Sequence, residues 1–244
     1  MSAQLARGSI LPLELDSLVY EVGGRSLVRK LSVRLEAGPR TVIMGPNGAG
    51  KSLTLRMAHG LIEPTSGAVR WCGDAAEKPR SRQAMVFERS VLLRRSVAAN
   101  VDYALSLRGV SRADRKPRIA EVLERTGLSA LADRPARVLS AGEQQRLGLA
   151  RAWAVEPEVL FLDEPTAALD PGSTRSIEAL IEAIANDGTK IVMTTHDLGQ
   201  ARRLAQEVLF MHQGELLEHS PAVRFFEAPE SDIAAAFLRG ELIG

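Results

Sequence analysis

Between residues 45 and 53 the chain reads Gly-Pro-Asn-Gly-Ala-Gly-Lys-Ser-Leu: a glycine, four residues, a second glycine, then lysine and serine. Small residues at this spacing let successive backbone N–H groups wrap an anion without Cβ clashes, and a helix starting there turns the positive end of its dipole onto it. The chemistry this supports is the binding of a phosphate chain. Gly45, Pro46, Asn47, Gly48, Ala49, Gly50, Lys51, Ser52 and Leu53 form the cradle, with Lys51 supplying a point charge to the terminal phosphates and Ser52 a hydroxyl to Mg²⁺. Further on, "LFLDEP" ends a strongly apolar run in two adjacent carboxylates, Asp163 and Glu164. Charges at the end of a buried run need partners or a metal. Asp163 suits a carboxylate that holds Mg²⁺ through water, and Glu164 suits a general base that polarises an attacking water. His196, in "MTTHD", ends the next apolar run, where it can reach the same phosphate and orient that water. Singly, these residues also read as a glycine turn, solvent-facing acids and a structural histidine.

The elements that must position them follow from periodicity. "RTVIM" at 40–44 is short and β-branched enough for a buried strand, and "SLTLRMAHG" after the loop has helical spacing. Residues 11–37 alternate apolar and polar around Gly23-Gly24, which predicts an antiparallel hairpin, and "GAVRWCG" and "RQAMVF" read as further short strands. From 96 to 155 the texture is helical, broken at Gly109, Gly127 and Pro135, which predicts a helical insertion. A buried strand returns at 158–165, then a helix over 172–186, a strand at 190–197, a hairpin around Gln213-Gly214 and a helical tail from Pro221. Strands alternating with helices imply a parallel sheet, in which ligands bind at the carboxyl ends of the strands. The glycine loop, "DEP" and "THD" all lie at such ends.

The whole chain, 244 residues with a net charge of +1, has ample length for a large α/β domain and no electrostatic footprint for nucleic acid. The opening residues lack the apolar core of a signal peptide, and no stretch approaches the roughly 20 apolar residues of a membrane helix, so a soluble protein is expected. The single cysteine, Cys72, is read as a small buried hydrophobe beside Trp71, and His59, His212 and His219 as ordinary surface or core histidines.

"LSAGEQQRLGLARAW", residues 139–153, resembles the signature motif of the ATP-binding cassette proteins and stands just before "VLFLDEP", as it does in that family. With the glycine loop, "AALD" at 167–170 and His196 in the family's order, the resemblance covers nearly the whole chain. It implies a P-loop NTPase of α/β class: a RecA-like parallel sheet core with an N-terminal antiparallel β subdomain and an inserted α-helical subdomain. All of 1–244 is then one ATPase domain, with β subdomain and core at 11–95 and 156–220, the helical subdomain at 96–155 and the tail at 221–244. It further implies ATP and Mg²⁺ as ligands, and a head-to-tail homodimer in which Ser140, Ala141, Gly142 and Glu143 of one copy meet the γ-phosphate held by the other. Ser140 and the Gly142 N–H fit that role because they open a helix, although the same residues also read as a plain capped helix start.

The chain departs from the family's pattern in places. Ala141-Gly142 stands for two glycines and Glu143 for glutamine; Glu88, in "AMVFERSVLLRRSV", stands where a glutamine touches Mg²⁺ and the attacking water, so it is read as a Mg²⁺ ligand that crowds negative charge against Glu164. Where the family stacks an aromatic ring on adenine this chain has Val22, with Tyr20 on the same strand face as a substitute. Arg89, Arg94 and Arg95 fall where the family contacts its membrane permease. The resemblance is to the separate ATPase subunits of bacterial importers, peripheral on the cytoplasmic face of the inner membrane, partnered by permease subunits and indirectly by a solute-binding protein, with no nucleic acid. "RMAHGLIEPTSG" and "VLLRRSVAANVDYAL" look like the subunits of tungstate importers, with phosphate, molybdate and amino-acid importers, or a soluble non-transport cassette ATPase, as alternatives. The tail after Pro221 is too short for an appended regulatory domain, so transinhibition through one is not expected.

Overall fold

The computed structural model describes residues 8–167 and 169–241; the first seven residues, Ala168 in "AALD" and the last three residues of the tail lie outside the described residues. The expected hairpin forms from β1 (Leu13–Val22) and β2 (Arg25–Leu35), turning at Gly23-Gly24, and β4 (Ser66–Trp71) pairs antiparallel with β1 to complete a three-stranded sheet.

The second sheet has six strands in the order β5 (Gln83–Val86), β6 (Val159–Asp163), β7 (Lys190–Thr194), β3 (Thr41–Met44), β8 (Glu207–His212), β9 (Glu215–Pro221). It is parallel except for β9, which returns antiparallel to β8. All residues of β3, β6 and β7 are buried, because both faces of the sheet are covered. Successive side chains serve two apolar clusters: Val42, Met44, Leu160 and Leu162 point to one, Ile43, Val159 and Phe161 to the other.

The first cluster carries the helices. α2 (Val97–Leu107), α3 (Arg112–Arg125) and α4 (Ala141–Ala154) are inserted between β5 and β6 and share apolar contacts with α5 (Pro171–Asn186). Serines cap the first two, Ser96 accepting from Ala99 N–H and Ser111 from Asp114 N–H, and Asp170 caps α5 just before Pro171 at its first position. α6 (Leu198–Leu204), α7 (Ala222–Glu227) and α8 (Asp232–Leu238) complete it, with Phe225 and Phe237 packed on Phe210 of β8 at ring separations of 5.7 and 5.3 Å. The second cluster lies between α1 (Lys51–His59), the large sheet and the hairpin sheet, where Trp71 meets Phe161 edge-on at 6.5 Å.

The reading of Cys72 is corrected here: it is exposed. Trp71 turns inward to Phe161, and Cys72 follows it just beyond the end of an edge strand, where the next side chain points outward. No helix among the described residues is long and apolar enough to cross a membrane.

Candidate active site

The glycine loop joins the end of β3 to the start of α1. Gly45 has φ 145° and Gly50 φ 96°, and a Cβ on Gly45 would fall 2.0 Å from the carbonyl oxygen of Met211, so the loop passes closer to β8 than any side chain permits. α1 has no side-chain cap, so its first N–H groups are left for a ligand on the cavity side. Lys51 is buried and its ammonium donates back to the carbonyls of Gly45 (2.9 Å) and Pro46 (3.0 Å). Burial pushes its pKa down, with the charges of Glu164 and Asp163 opposing. A cavity of about 510 Å³ opens over the loop and is bounded on its far side by Glu88, Glu164, Ala167 and His196.

At the end of β6, buried Asp163 accepts from the Ser52 hydroxyl (2.6 Å) and the Thr194 hydroxyl (3.0 Å) on Oδ1, and from Arg56 (3.0 Å) on Oδ2. Ser52 and Asp163 thus present two hard oxygen donors side by side at the foot of the loop. That set fits Mg²⁺, which takes one or two protein oxygens and completes its shell with phosphate oxygens and water. Among the described residues no three His, Cys, Asp or Glu side chains cluster as a dedicated metal cage.

Glu164 follows with φ 48°, a left-handed conformation rare for a non-glycine residue and held by its N–H donating to Thr194 Oγ1 at 2.9 Å. This kink aims its carboxylate across the cavity wall. One oxygen stands 3.9 Å from Lys51 Nζ, the other 3.0 Å from Nδ1 of His196, whose ring is half exposed. Sequence reasoning singled out these residues but not Arg56 or Thr194, which bond to Asp163. The signal for Thr194 was its place in "MTTHD", paired across the strands with Asp163.

The signature segment lies elsewhere. Ser140 caps α4 through Glu143 N–H (3.3 Å), while the Glu143 carboxylate accepts from Ser140 N–H (2.7 Å) and Oγ (2.9 Å); these bonds hold Glu143 below the ordinary carboxylate range. Gly142 is buried against α5, where a Cβ would meet Ser173 Oγ at 2.5 Å, whereas Ser140 and Ala141 are exposed. Tyr20 is half-buried against the second apolar cluster, and Val22 is exposed at the hairpin tip. The hairpin residues that face the glycine loop come from β2: Arg25, Ser26, Leu27 and Arg29 line an adjoining cavity of about 420 Å³ with Pro46–Ala49. Arg89, Arg94 and Arg95 are exposed on the segment from Phe87 to α2, which α4 holds through buried Gln145 (to Phe87 carbonyl, 3.2 Å) and Arg151 (to Val91 carbonyl, 2.6 Å).

Residues 28–167 match the family described as ABC transporter. The methionine import ATP-binding protein MetN of Caulobacter vibrioides is 38% identical over 233 residues, covering 91% of this chain and 70% of the relative. The phosphate import ATP-binding protein PstB 2 of Natronomonas pharaonis is 33% identical, covering 90% of this chain and 84% of its own length. The tungstate uptake system ATP-binding protein TupC of Peptoclostridium acidaminophilum is 34% identical, covering 85% of this chain and 98% of its own length. Among solved structures, cbiO1 from Clostridium perfringens, part of the ABC transporter complex cbiONQ, superposes with a TM-score of 0.79 at 28% identity, covering 93% of this chain and 94% of that one.

Proposed function

Because the chain belongs to the ABC transporter family and is an ATPase, we propose that it is the ATP-hydrolysing subunit of an importer, with the phosphates of ATP in the Gly45–Leu53 loop and Glu164 as general base. The observation that carries this reading is the Glu164 carboxylate, kinked off β6 and set between the Lys51 ammonium and the His196 imidazole at the wall of the loop's own cavity. Lys51 draws charge onto the terminal phosphates, Glu164 accepts a proton from the attacking water, and His196 holds that carboxylate and the water in line. Ser52 and Asp163, with Glu88 as a further oxygen donor, would hold Mg²⁺, and the chemistry that ion would supply is neutralisation of charge on the phosphates.

Ser140 and Ala141 are exposed at the start of α4, away from the chain's own cavity, which supports their use on ATP held by a second copy in a head-to-tail homodimer. The exposed Arg89, Arg94 and Arg95, with Val91 at 78% exposure, form the face offered to membrane permease subunits on the cytoplasmic side of the membrane. A solute-binding protein completes the system, and nucleic acid has no part in it. Tyr20 and Val22 stay candidates for the adenine contact, Tyr20 needing a change of packing to reach it.

The solute is tungstate or a related oxyanion, phosphate or molybdate, in this reading, supported by the tungstate relative matched along 98% of its length and by the phosphate relative. Methionine is the second reading, favoured by the 38% identical relative. Glu164→Gln should keep ATP binding, lose hydrolysis and accumulate as a nucleotide-bound dimer on a sizing column; hydrolysis at the wild-type rate would remove Glu164 from the base role. Copurification of a polytopic membrane protein, followed by titration of its solute-binding partner with tungstate, molybdate, phosphate and methionine, decides the cargo.

A further inference from the structure

Directly behind the cavity lies a buried polar node that the proposed chemistry does not use. Gln200, in α6, is fully buried and held at both ends. Its backbone N–H donates to Asp197 Oδ1 (2.8 Å), the cap that starts α6 one residue after His196. Its side-chain amide donates to Thr166 Oγ1 (2.7 Å) and reaches Glu178 Oε1 of α5 at 3.5 Å. Thr166 stands two residues beyond Glu164, in a turn closed by the Ala167 N–H on the Glu164 carbonyl (3.3 Å). Glu178 is itself buried and fixed by Arg203 through both oxygens, at 2.7 and 2.8 Å. An ionised carboxylate only accepts, so the amide nitrogen of Gln200 must face Glu178, and that places it against Thr166 as well.

We propose that Gln200 is a positioning residue for hydrolysis: through Thr166 and Asp197 it holds the turn bearing Glu164 and the turn bearing His196 at the separation where the two side chains meet. This rests on the reading of Glu164 as general base. The ladder between β6 and β7 ends at Asp163 paired with Thr194, so Glu164 and His196 both lie past the last paired residues. Glu164 N–H on Thr194 ties the near side of the first turn, and Asp197 N–H on Thr195 Oγ1 (3.1 Å) ties the second to the residue just past the end of β7. Only the Gln200 amide, among these bonds, ties the far side of one turn to the helix that ends the other. The node is also costly to maintain, since Gln200 Oε1 is buried without a partner, an expense expected where the remaining bonds are needed.

Thr166→Val removes the acceptor while keeping the shape. The expected result, assayed well below the melting temperature, is a fall in kcat of about tenfold or more with the KM for ATP held within about twofold, because the phosphate loop is untouched and only the alignment of the base is lost. Thr166→Ser, which retains the hydroxyl, should restore kcat, and Gln200→Leu combined with Thr166→Val should be no slower than the slower single variant. A lowered melting temperature without the kcat against KM split, equal rates for the valine and serine variants, or additive losses would each overturn the proposal. Glu164→Gln is run alongside. If it hydrolyses like the wild type, the base assignment fails; if it is inactive while Thr166→Val keeps the wild-type kcat, only the role of Gln200 falls.

Discussion

The two ends of the large sheet hold the same pair of residue types in opposite conditions. At the carboxyl end, buried Lys51 rests on two loop carbonyls and stands 3.9 Å from Glu164, whose other oxygen meets a half-exposed histidine. At the amino end, buried Lys190 donates to Glu207 at 3.0 Å and to the Pro39 carbonyl, and Glu207 is further held by the Thr41 hydroxyl and by His219 at 3.3 Å. Both lysines have their pKa pushed down by burial. Only the second pair is closed. Burial pushes Glu207 up, but the bonds from His219 and Thr41 and the charge of Lys190 outweigh it and bring its pKa down to about 2. A lysine and a carboxylate with every oxygen spoken for make a structural joint; the same two groups 3.9 Å apart beside a glycine loop, not directly bonded to each other, keep their charge available to a ligand.

The sharpest way to break this contrast is to remove each lysine. Lys51→Ala should lower kcat/KM for ATP by about a hundredfold or more, the scale of losing a charge at the reacting phosphate, and leave the urea midpoint nearly unmoved. Lys190→Met should do the reverse, costing about 1.5–3 kcal/mol because Glu207 loses the charge-assisted bond from Lys190 and keeps those of Thr41 and His219, while the ATPase rate of the folded fraction is kept. Loss of activity without loss of stability at Lys190 would dissolve the distinction.

Acid titration tests the closed pair from the other partner. A carboxylate whose folded pKa lies near 2, against 4.5 for the ordinary group, contributes stability that is complete above about pH 4.5 and is lost as the pH falls toward 2. The depression corresponds to about 3 kcal/mol. Urea midpoints recorded from pH 6 down to about pH 3 should therefore fall less steeply for Glu207→Gln than for the wild type, starting from a lower value. Parallel curves would place the acid sensitivity elsewhere.

The open end was far more legible than the closed one. Gly45, Lys51 and Ser52 announce themselves because the loop needs residue types that few other structures tolerate in that order, and Asp163, Glu164 and His196 because charged side chains ending apolar strands stand out. The strands and helices were legible for the same reason: β3, β6 and β7 are short apolar runs and α2 to α4 keep helical period. The node of Gln200, Thr166, Glu178 and Arg203, and the joint of Lys190, Glu207, Thr41 and His219, are assembled from single polar residues far apart in the chain, and no local spacing marks them. Cys72 misled because its exposure depends on which way one edge strand ends. The β2 residues along the loop were not legible for a related reason: the aromatic side chain lies on β1, whereas Arg25 to Leu27 of β2 line the cavity beside Pro46–Ala49.

The smallest expected effect belongs to Glu88, which has no counterpart in the joint of Lys190 and Glu207, where the carboxylate is matched by the lysine, Thr41 and His219. It lines the cavity with Lys51, Glu164 and His196, adding a second carboxylate to the wall that holds Glu164. A unit charge on the wall of a partly solvated cavity is worth on the order of 1 kcal/mol, or roughly fivefold in a rate or a binding constant. Its two consequences have opposite signs. With phosphates, base and Mg²⁺ placed as proposed, the carboxylate would repel the phosphates and the base as negative charge builds up, and would attract Mg²⁺. Glu88→Gln should accordingly raise kcat by a few-fold, on the order of the figure above, and raise by a similar factor the Mg²⁺ concentration that gives half the maximal rate. Steady-state hydrolysis measured across a Mg²⁺ titration separates the two. A rate and a Mg²⁺ midpoint both unchanged would mean that Glu88 points its charge into solvent, and that the open end of the sheet works with one free carboxylate rather than two.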